Sequence, residues 1–455
     1  MEMVLEFLRD VLSQPALLIG IMSCIGLIAL KRPFHKIMTG TLKPILGYLM
    51  LAAGAGVIVS NLDPLGKMIE HGFHITGVVP NNEAIVAVAQ KVLGVETMSI
   101  LVVGLLMNLC IARFTKFKYV FLTGHHSLFM ACLMSAVLGT AGLSGMELIL
   151  VGGFLMGAWS AISPAIGQNY TSKVTDGDEI AIGHFGSLGY YLSAWIAKYV
   201  GKAEDSTEDI EIPEKWGFLR DSTLSTALTM IVFYLIAAFA AGSEFVATLS
   251  GDMSPYLYAV MSAMNFAVGV TIVYSGVRMI LGDLIPAFQG IATKIIPNAI
   301  PAVDCAVFFT YAPTAVVLGF LSSFIGGIIG MLILGAVGGV LIIPGLVPHF
   351  FCGATAGIYG NATGGRRGAA VGAFLNGLAI TFLPALALPV LGQLGFQNTT
   401  FGDADFAVMG LVLGNAYEWV GMAGIYGIVA IAALVLIVPN FIKTKGKVIN
   451  YVEED

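Results

Sequence analysis

Runs of apolar residues that approach the length of a membrane crossing recur along the whole chain, the first from Pro15 to Leu30. A helix needs ~20 such residues to cross a bilayer's hydrocarbon. Inside lipid every backbone polar group must find its partner within the protein. Continuous apolar runs, rather than alternating ones, therefore predict an all-α polytopic membrane protein. Composition agrees: 57% of residues are hydrophobic and 11% charged, with mean hydropathy +0.89, where a soluble domain carries about 25% charged residues. The first run has an acidic start and no small-residue cleavage pattern, so it reads as a span and not as a cleavable signal. Cys24, Cys110, Cys132, Cys305 and Cys352 stand singly in apolar runs. With no CxxC spacing, neither a disulfide framework nor a metal site is expected. Much of the net charge of −6 comes from residues 203–221 and the terminal EED, and nothing in it points to nucleic acid.

The runs divide into about eleven spans, near 15–30, 38–60, 98–114, 119–141, 146–166, 223–243, 255–280, 302–320, 323–343, 369–393 and 421–442. Four basic clusters orient them: KRPFHK (31–36), RFTKFK (113–118), GGRRG (364–368) and KTKGK (443–447). All four fall on the cytoplasmic side if the N-terminus is outside and the C-terminus inside. The acidic stretch 203–221 is then a cytoplasmic linker between a first half, about 1–200, and a second, about 223–442. Residues 74–90, 169–195, 347–365 and 406–419 are too polar or too broken to span. Irregular backbone of this kind survives at membrane depth only against protein or a water-filled cavity, and it is where transporters place substrate. PNNEAIV (80–86) and PNAIPAVD (297–304) share a sketchy pattern across the two halves, as paired broken segments of inverted repeats would.

Within that frame single polar residues stand out. Asp304 interrupts IIPNAIPAVDCAVFFTYAPTAVVLG. A charge at the centre of a spanning helix costs roughly 2.5–3.5 kcal/mol, so it faces a cavity or a partner; the alternative is a helix N-cap at an interface. Glu83 follows Pro80, Asn81 and Asn82, with an exposed loop as the alternative. His184 lies among Gly183, Gly186 and Gly189, as a tight turn requires. His125 lies near the inner end of the fourth span; it or His126 reads equally as an interfacial residue. Histidine both donates to and accepts from a hydroxyl near neutral pH. No second His or carboxylate stands at i+3 or i+4, which argues against metal. His349 and Asn361 read equally as parts of a packed turn, and Arg366 and Arg367 as positive-inside anchors.

LTGHHSLF, VTDGDEIAIGHFGS, IPNAIPAVDCAVFFTYAPTAVVLGF and IPGLVPHFFCGATAGIYGNATGGRRGA resemble, in this order, segments of the ascorbate-type enzyme IIC of the bacterial sugar phosphotransferase system. The resemblance runs along nearly the whole chain. It implies a single IIC membrane unit, a homodimer in the cytoplasmic membrane. It further implies eleven spans with re-entrant segments, two inverted halves, and a core domain that carries substrate against a dimerisation domain. It places His125, His184, Asp304 and the segment Pro80–Glu83 on the family's sugar site. Family members that take ascorbate carry glutamine where this chain has Phe129 and Phe185, and a Thr-Tyr pair where it has Asn82 and Glu83.

Loss of two amides and gain of a carboxylate change which hydroxyls are satisfied, at about 1–3 kcal/mol per mismatch. A neutral polyol or other sugar is therefore the alternative substrate. The implied mechanism is inward movement of the sugar to a separate phosphocysteine protein, IIB, itself charged by IIA. No cofactor is implied, and His184 is a candidate base. An ion-coupled secondary transporter, with Asp304 and Glu83 as carriers, is the competing class.

Overall fold

The computed structural model describes Val11 and residues 14–74, 77–80, 82–210, 222–392 and 399–441. The clusters at 443–447 and 453–455, and residues 211–221 of the acidic stretch, lie outside the described residues. The first half contains helices α1 (Pro15–Ala29), α2 (Phe34–Phe73), α3 (Asn82–Phe114), α4 (Gly124–Thr140), α5 (Gly145–Thr175) and α6 (Ser187–Val200). The second contains α7 (Ser222–Ala241), α8 (Ser243–Ser250), α9 (Pro255–Lys294), α10 (Pro313–Ala336), α11 (Leu346–Gly392), α12 (Ala404–Val420) and α13 (Met422–Phe441). Seven described helices are long and apolar enough to cross a membrane, or eight if the bent pair Thr226–Ala241 and Ser243–Ser250 is one span. This is an all-α polytopic membrane protein.

The helix starts are written locally. Pro33 precedes α2, and Pro255 and Pro313 occupy the first turns of α9 and α10, where proline's missing N–H has no helical partner to lose. Residues 302–343, which the apolar runs divide into two spans, fold as the end of a strand, a 3-10 turn (Cys305–Thr310) and the single helix α10. The stretches 347–363 and 406–419 are helical as well. Their glycines serve close packing instead of breaking the chain: a Cβ on Gly353 would sit 2.4 Å from the Ser323 Cβ. The break comes at Gly364 and Gly365, where Gly365 has φ 59° and ψ −151°, a region essentially confined to glycine.

Two groups of helices pack internally. The two 40-residue helices α2 and α9 lie against each other, flanked by α1 and α7. Each is roughly 60 Å long at 1.5 Å per residue. Their contact is reciprocal: Cβ atoms on Gly47 and Gly54 would meet Gly276 O at 2.9 Å and Gly269 O at 2.7 Å. Small residues at such crossings let backbones approach in lipid. The second group holds α3 with α4 and α5, and α11 with α6, α10 and α12.

Short parallel strands tie the second group together. Strand β2 (Tyr119–Phe121) and β3 (Ala181–Ile182) both pair with β4 (Ile300–Val303), and β1 (Val79–Pro80) pairs with β5 (Thr399–Thr400). Val78 also bridges to Ile342. Each ladder joins an earlier segment of the chain to a later one far from it in sequence, and it satisfies backbone that no helix covers. Residues 203–210 of the acidic stretch are laced onto the later helices. The Glu208 carboxylate accepts the Thr314 and Ala315 N–H groups at the start of α10, both at 3.1 Å. Asn361 Oδ1 accepts the Thr207 N–H at 2.8 Å, and Arg366 N–H donates to Asp205 O at 2.8 Å. His349 is buried and hydrogen-bonded to Ser323 Oγ at 2.9 Å. Asn361, Arg366 and His349 thus act as structural ties.

Candidate functional site

A cavity of about 840 Å³ lies between α2 and the corners where strands turn into helices. One wall is a single stripe of α2, including Tyr48, Leu51, Val59, Leu62, Gly66 and Glu70. The spacing of three, four and seven residues is that of one helix face. The other wall is polar and is built from helix beginnings. Asn82 starts α3, His125 and His126 lie in the first turn of α4, and His184 precedes α6. Asp304 caps the 3-10 turn, Leu346 starts α11, and Asp403 stands immediately before α12. Strands β1 to β5 deliver these corners to one place. Helix N-termini carry unpaired N–H groups and positive dipole ends, so their convergence suits a ligand rich in acceptor oxygens.

Asp304 is not inside a spanning helix. It leaves β4, and its Oδ1 accepts the Ala306 N–H at 3.0 Å, so it is a cap and a cavity residue at once. Its Oδ2 is 3.4 Å from His125 Nε2. His125 Nδ1 is in turn 3.4 Å from the Tyr48 hydroxyl on the facing wall. His125 is 38% exposed at its side chain, whereas His126 and His184 are almost wholly buried. Both members of the pair line the cavity.

The rings of the two buried histidines lie tilted against each other, 3.8 Å between centroids, and backbone amides set their tautomers. The Phe185 N–H donates to His126 Nδ1 at 3.3 Å, and the Gly186 N–H donates to His184 Nδ1 at 3.1 Å. An amide N–H only donates, so each Nδ1 is an acceptor and each neutral ring carries its proton on Nε2. The Tyr190 hydroxyl supports the same nitrogen of His184 at 2.8 Å. Both rings are hydrogen-bond donors. His126, His184 and Asp403 also bring three potential ligand atoms within 4.8 Å of one another. A metal-bound histidine normally donates its second N–H. Here Nδ1 accepts instead, so coordination at Nε2 would leave each ring without a proton, and the geometry fits hydrogen bonding better than a metal.

Asp403 completes the wall. Its Oδ2 accepts the Asn82 amide at 2.6 Å, its Oδ1 accepts the Cys352 thiol at 2.8 Å, and His184 Nδ1 is 4.0 Å away. Asn82 Oδ1 also accepts the Gly402 N–H at 2.9 Å. Two residues on, Asp405 is fully buried outside the cavity. It accepts from Ser187 Oγ at 2.8 Å, the Leu188 N–H at 2.9 Å and Trp159 Nε1 at 3.3 Å, and so caps α6 from the far end of the chain.

The structure therefore brings Asn82, His125, Phe129, His184 and Asp304 to one cavity. Phe129 lies 5.8 Å from the His125 ring. Phe185 is not among the cavity residues: its ring is wholly buried and stacked on Phe121 at 4.6 Å, and it is the backbone of Phe185 that touches His126. Glu83 follows Asn82 in α3, and its side chain lies outside the described residues. Sequence reasoning missed Tyr48, His126 as a site residue, and Asp403. Tyr48 sits in an ordinary apolar run. Asp403, in TTFGDADF, had a findable signal of Gly and Asp ahead of an apolar helix, but the polar stretch beginning at 406 starts just past it.

Against known proteins, the sequence matches the family EIIC-GAT, the PTS system sugar-specific permease component, over residues 10–405. It is similar to the ascorbate-specific PTS system EIIC component of Mycoplasma pneumoniae. The two are 28% identical over 417 residues, which cover 78% of this chain and 62% of that protein. The chain thus spans less than two thirds of the length of that curated relative. A polytopic helical protein matched over most of its length, the chain belongs to the EIIC-GAT family of PTS system sugar-specific permease components.

Proposed function

We propose that this chain is a membrane-embedded IIC component that carries ascorbate inward for phosphorylation by a separate IIB, itself charged by IIA. The observation that carries the reading is the convergence of helix N-termini and two Nε2–H donors, His126 and His184, on a cavity that also holds the Asp304 carboxylate. Ascorbate is an anion at neutral pH, and it offers acceptor oxygens to such donors and hydroxyls to a carboxylate. The ascorbate specificity of the Mycoplasma pneumoniae relative supports the same substrate. Phe129 in place of an amide favours the second reading, a neutral polyol.

The chain is further proposed to consist of two inverted halves, a core moving against a dimerising scaffold, with eleven spans in a cytoplasmic membrane. Element order supports the halves: a helix, a 40-residue helix, a strand and further helices, then a strand leading to the half's own corner helix, α6 or α12. The strands exchange accordingly, β4 pairing with β2 and β3 while β1 pairs with β5 and the adjacent Val78 bridges to Ile342. In this arrangement α2 and α9 belong to the scaffold, and the cavity opens along its seam with the core. The basic clusters at 31–36, 113–118 and 364–368 support an outside N-terminus and a cytoplasmic C-terminus.

His184 is a poor base here, because its Nδ1 already accepts two hydrogen bonds. The Asp304–His125 pair is the better acceptor for the hydroxyl proton released on phosphoryl transfer. The test is uptake of radiolabelled ascorbate and galactitol by cells that express the chain with its own IIA and IIB. Ascorbate should be recovered as its phosphate, and uptake should stop when the IIB phosphocysteine is replaced. Accumulation of free ascorbate under a proton or sodium gradient would instead establish the secondary transporter.

A further inference from the structure

We propose that Asp403 is a second hydroxyl acceptor for the transported molecule, set beside the donors His126 and His184. One corner of the cavity then holds donors and an acceptor together, for neighbouring oxygens of a polyhydroxy ring. The inference rests on the transport reading above and adds to it a residue that determines which hydroxyl pattern is taken.

The carboxylate of Asp403 is almost wholly buried yet faces the cavity. Its partners among the described residues are one amide, Asn82 Nδ2, and one thiol, Cys352 Sγ, one on each oxygen. Two carboxylate oxygens present about four acceptor positions. Two are filled, and His184 Nδ1, at 4.0 Å, is out of hydrogen-bond range and is itself an acceptor. A buried charge with open acceptor positions is costly until a donor fills them, and a sugar hydroxyl is a donor of the right size and strength.

Asp405 supplies the contrast. With three donors and no share in the cavity lining, it is satisfied by the protein alone. Two aspartates two residues apart thus divide the work, one closing a helix and one facing the ligand.

The corners of the fold explain why donors and an acceptor meet in one cluster. Strand β3 leads through His184 into α6, and β5 leads through Asp403 into α12. The same strand-to-helix turn delivers a donor from one half and an acceptor from the other. Likewise β1 leads to Asn82, and β4 to Asp304. Sorted by half, the earlier corners bring the amide and the imidazole, and the later corners bring both carboxylates.

The experiment is equilibrium binding to the purified full chain in detergent, with radiolabelled L-ascorbate and galactitol as probes. Whichever probe binds is then compared with its monodeoxy analogues, in wild type and in Asp403→Asn. Asp403→Asn should melt within a few degrees of wild type and bind the parent probe at least tenfold more weakly. One monodeoxy analogue should bind both proteins equally, because the hydroxyl it lacks has no carboxylate to lose. An unchanged affinity for the parent, or an equal weakening of every analogue, would overturn the inference and leave Asp403 a purely structural partner of Asn82. Wild type that binds neither probe would refute the transport reading itself, and the inference falls with it. If Asp403→Asn does not fold, Asp403→Ser, which keeps an oxygen for the Asn82 amide, carries the same comparison.

Discussion

Replacing Asp304 by asparagine should separate its two tasks. The carboxylate uses Oδ1 to accept the Ala306 N–H at 3.0 Å and so starts the 3-10 turn. Asparagine keeps an oxygen for that bond, which protects the fold, since losing a cap outright costs about 1 kcal/mol. The other oxygen, Oδ2, has only a long 3.4 Å contact to His125 Nε2 and is the one available to a substrate hydroxyl. In Asp304→Asn that position becomes an NH₂ group. It turns a donor toward the His125 Nε2–H and toward the hydroxyl, so the charge-assisted bond disappears and nothing replaces it. Hydrogen bonds to charged groups contribute about 1.5–3 kcal/mol, which corresponds to roughly 10- to 150-fold in affinity. The assay is a titration of ascorbate into purified wild type and variant, with a melting curve for each. A melting point near wild type with affinity lower by that factor is expected. Unchanged affinity would make Asp304 a cap and nothing more, and a protein that fails to fold would show that the asparagine oxygen does not take over the Ala306 bond.

His184→Ala should express and insert near normally but lose uptake by more than tenfold, because it removes an Nε2–H donor; uptake at the wild-type rate would take His184 out of the site. Phe129→Gln should be tolerated and strengthen ascorbate binding severalfold, since its side chain faces the cavity. Phe185→Gln should instead lower stability by about 1–3 kcal/mol, by setting an amide into the buried stack on Phe121; equal melting of the two variants would contradict these placements. Gly54→Val should cost about 1–3 kcal/mol through overpacking, because a Cβ there meets Gly269 O at 2.7 Å and Val273 N at 2.8 Å. A melting temperature unmoved by that change would mean that α2 and α9 do not pack closely.

Some of this molecule was legible in the chain because the relevant physics is local. Lipid demands continuous apolar runs, and those show without any partner in view. Asn82, His125, His184 and Asp304 stood out for the same reason, as polar groups with prolines, glycines or apolar residues around them. Span boundaries at 302–343 and the helical nature of 347–363 were not legible, because a glycine that breaks a helix and a glycine that lets two helices touch look alike until the second helix is present. Tyr48, His126 and Asp403 became site residues only through tertiary structure. So did the difference between Phe129, at the cavity, and Phe185, in the stack behind it. Which face of a short corner looks inward depends on strand pairs and contacts such as Asn82 with Asp403, 321 residues apart. Hydropathy acts on neighbours along the chain, whereas the direction of a side chain at a strand end is decided by the segment that pairs with it.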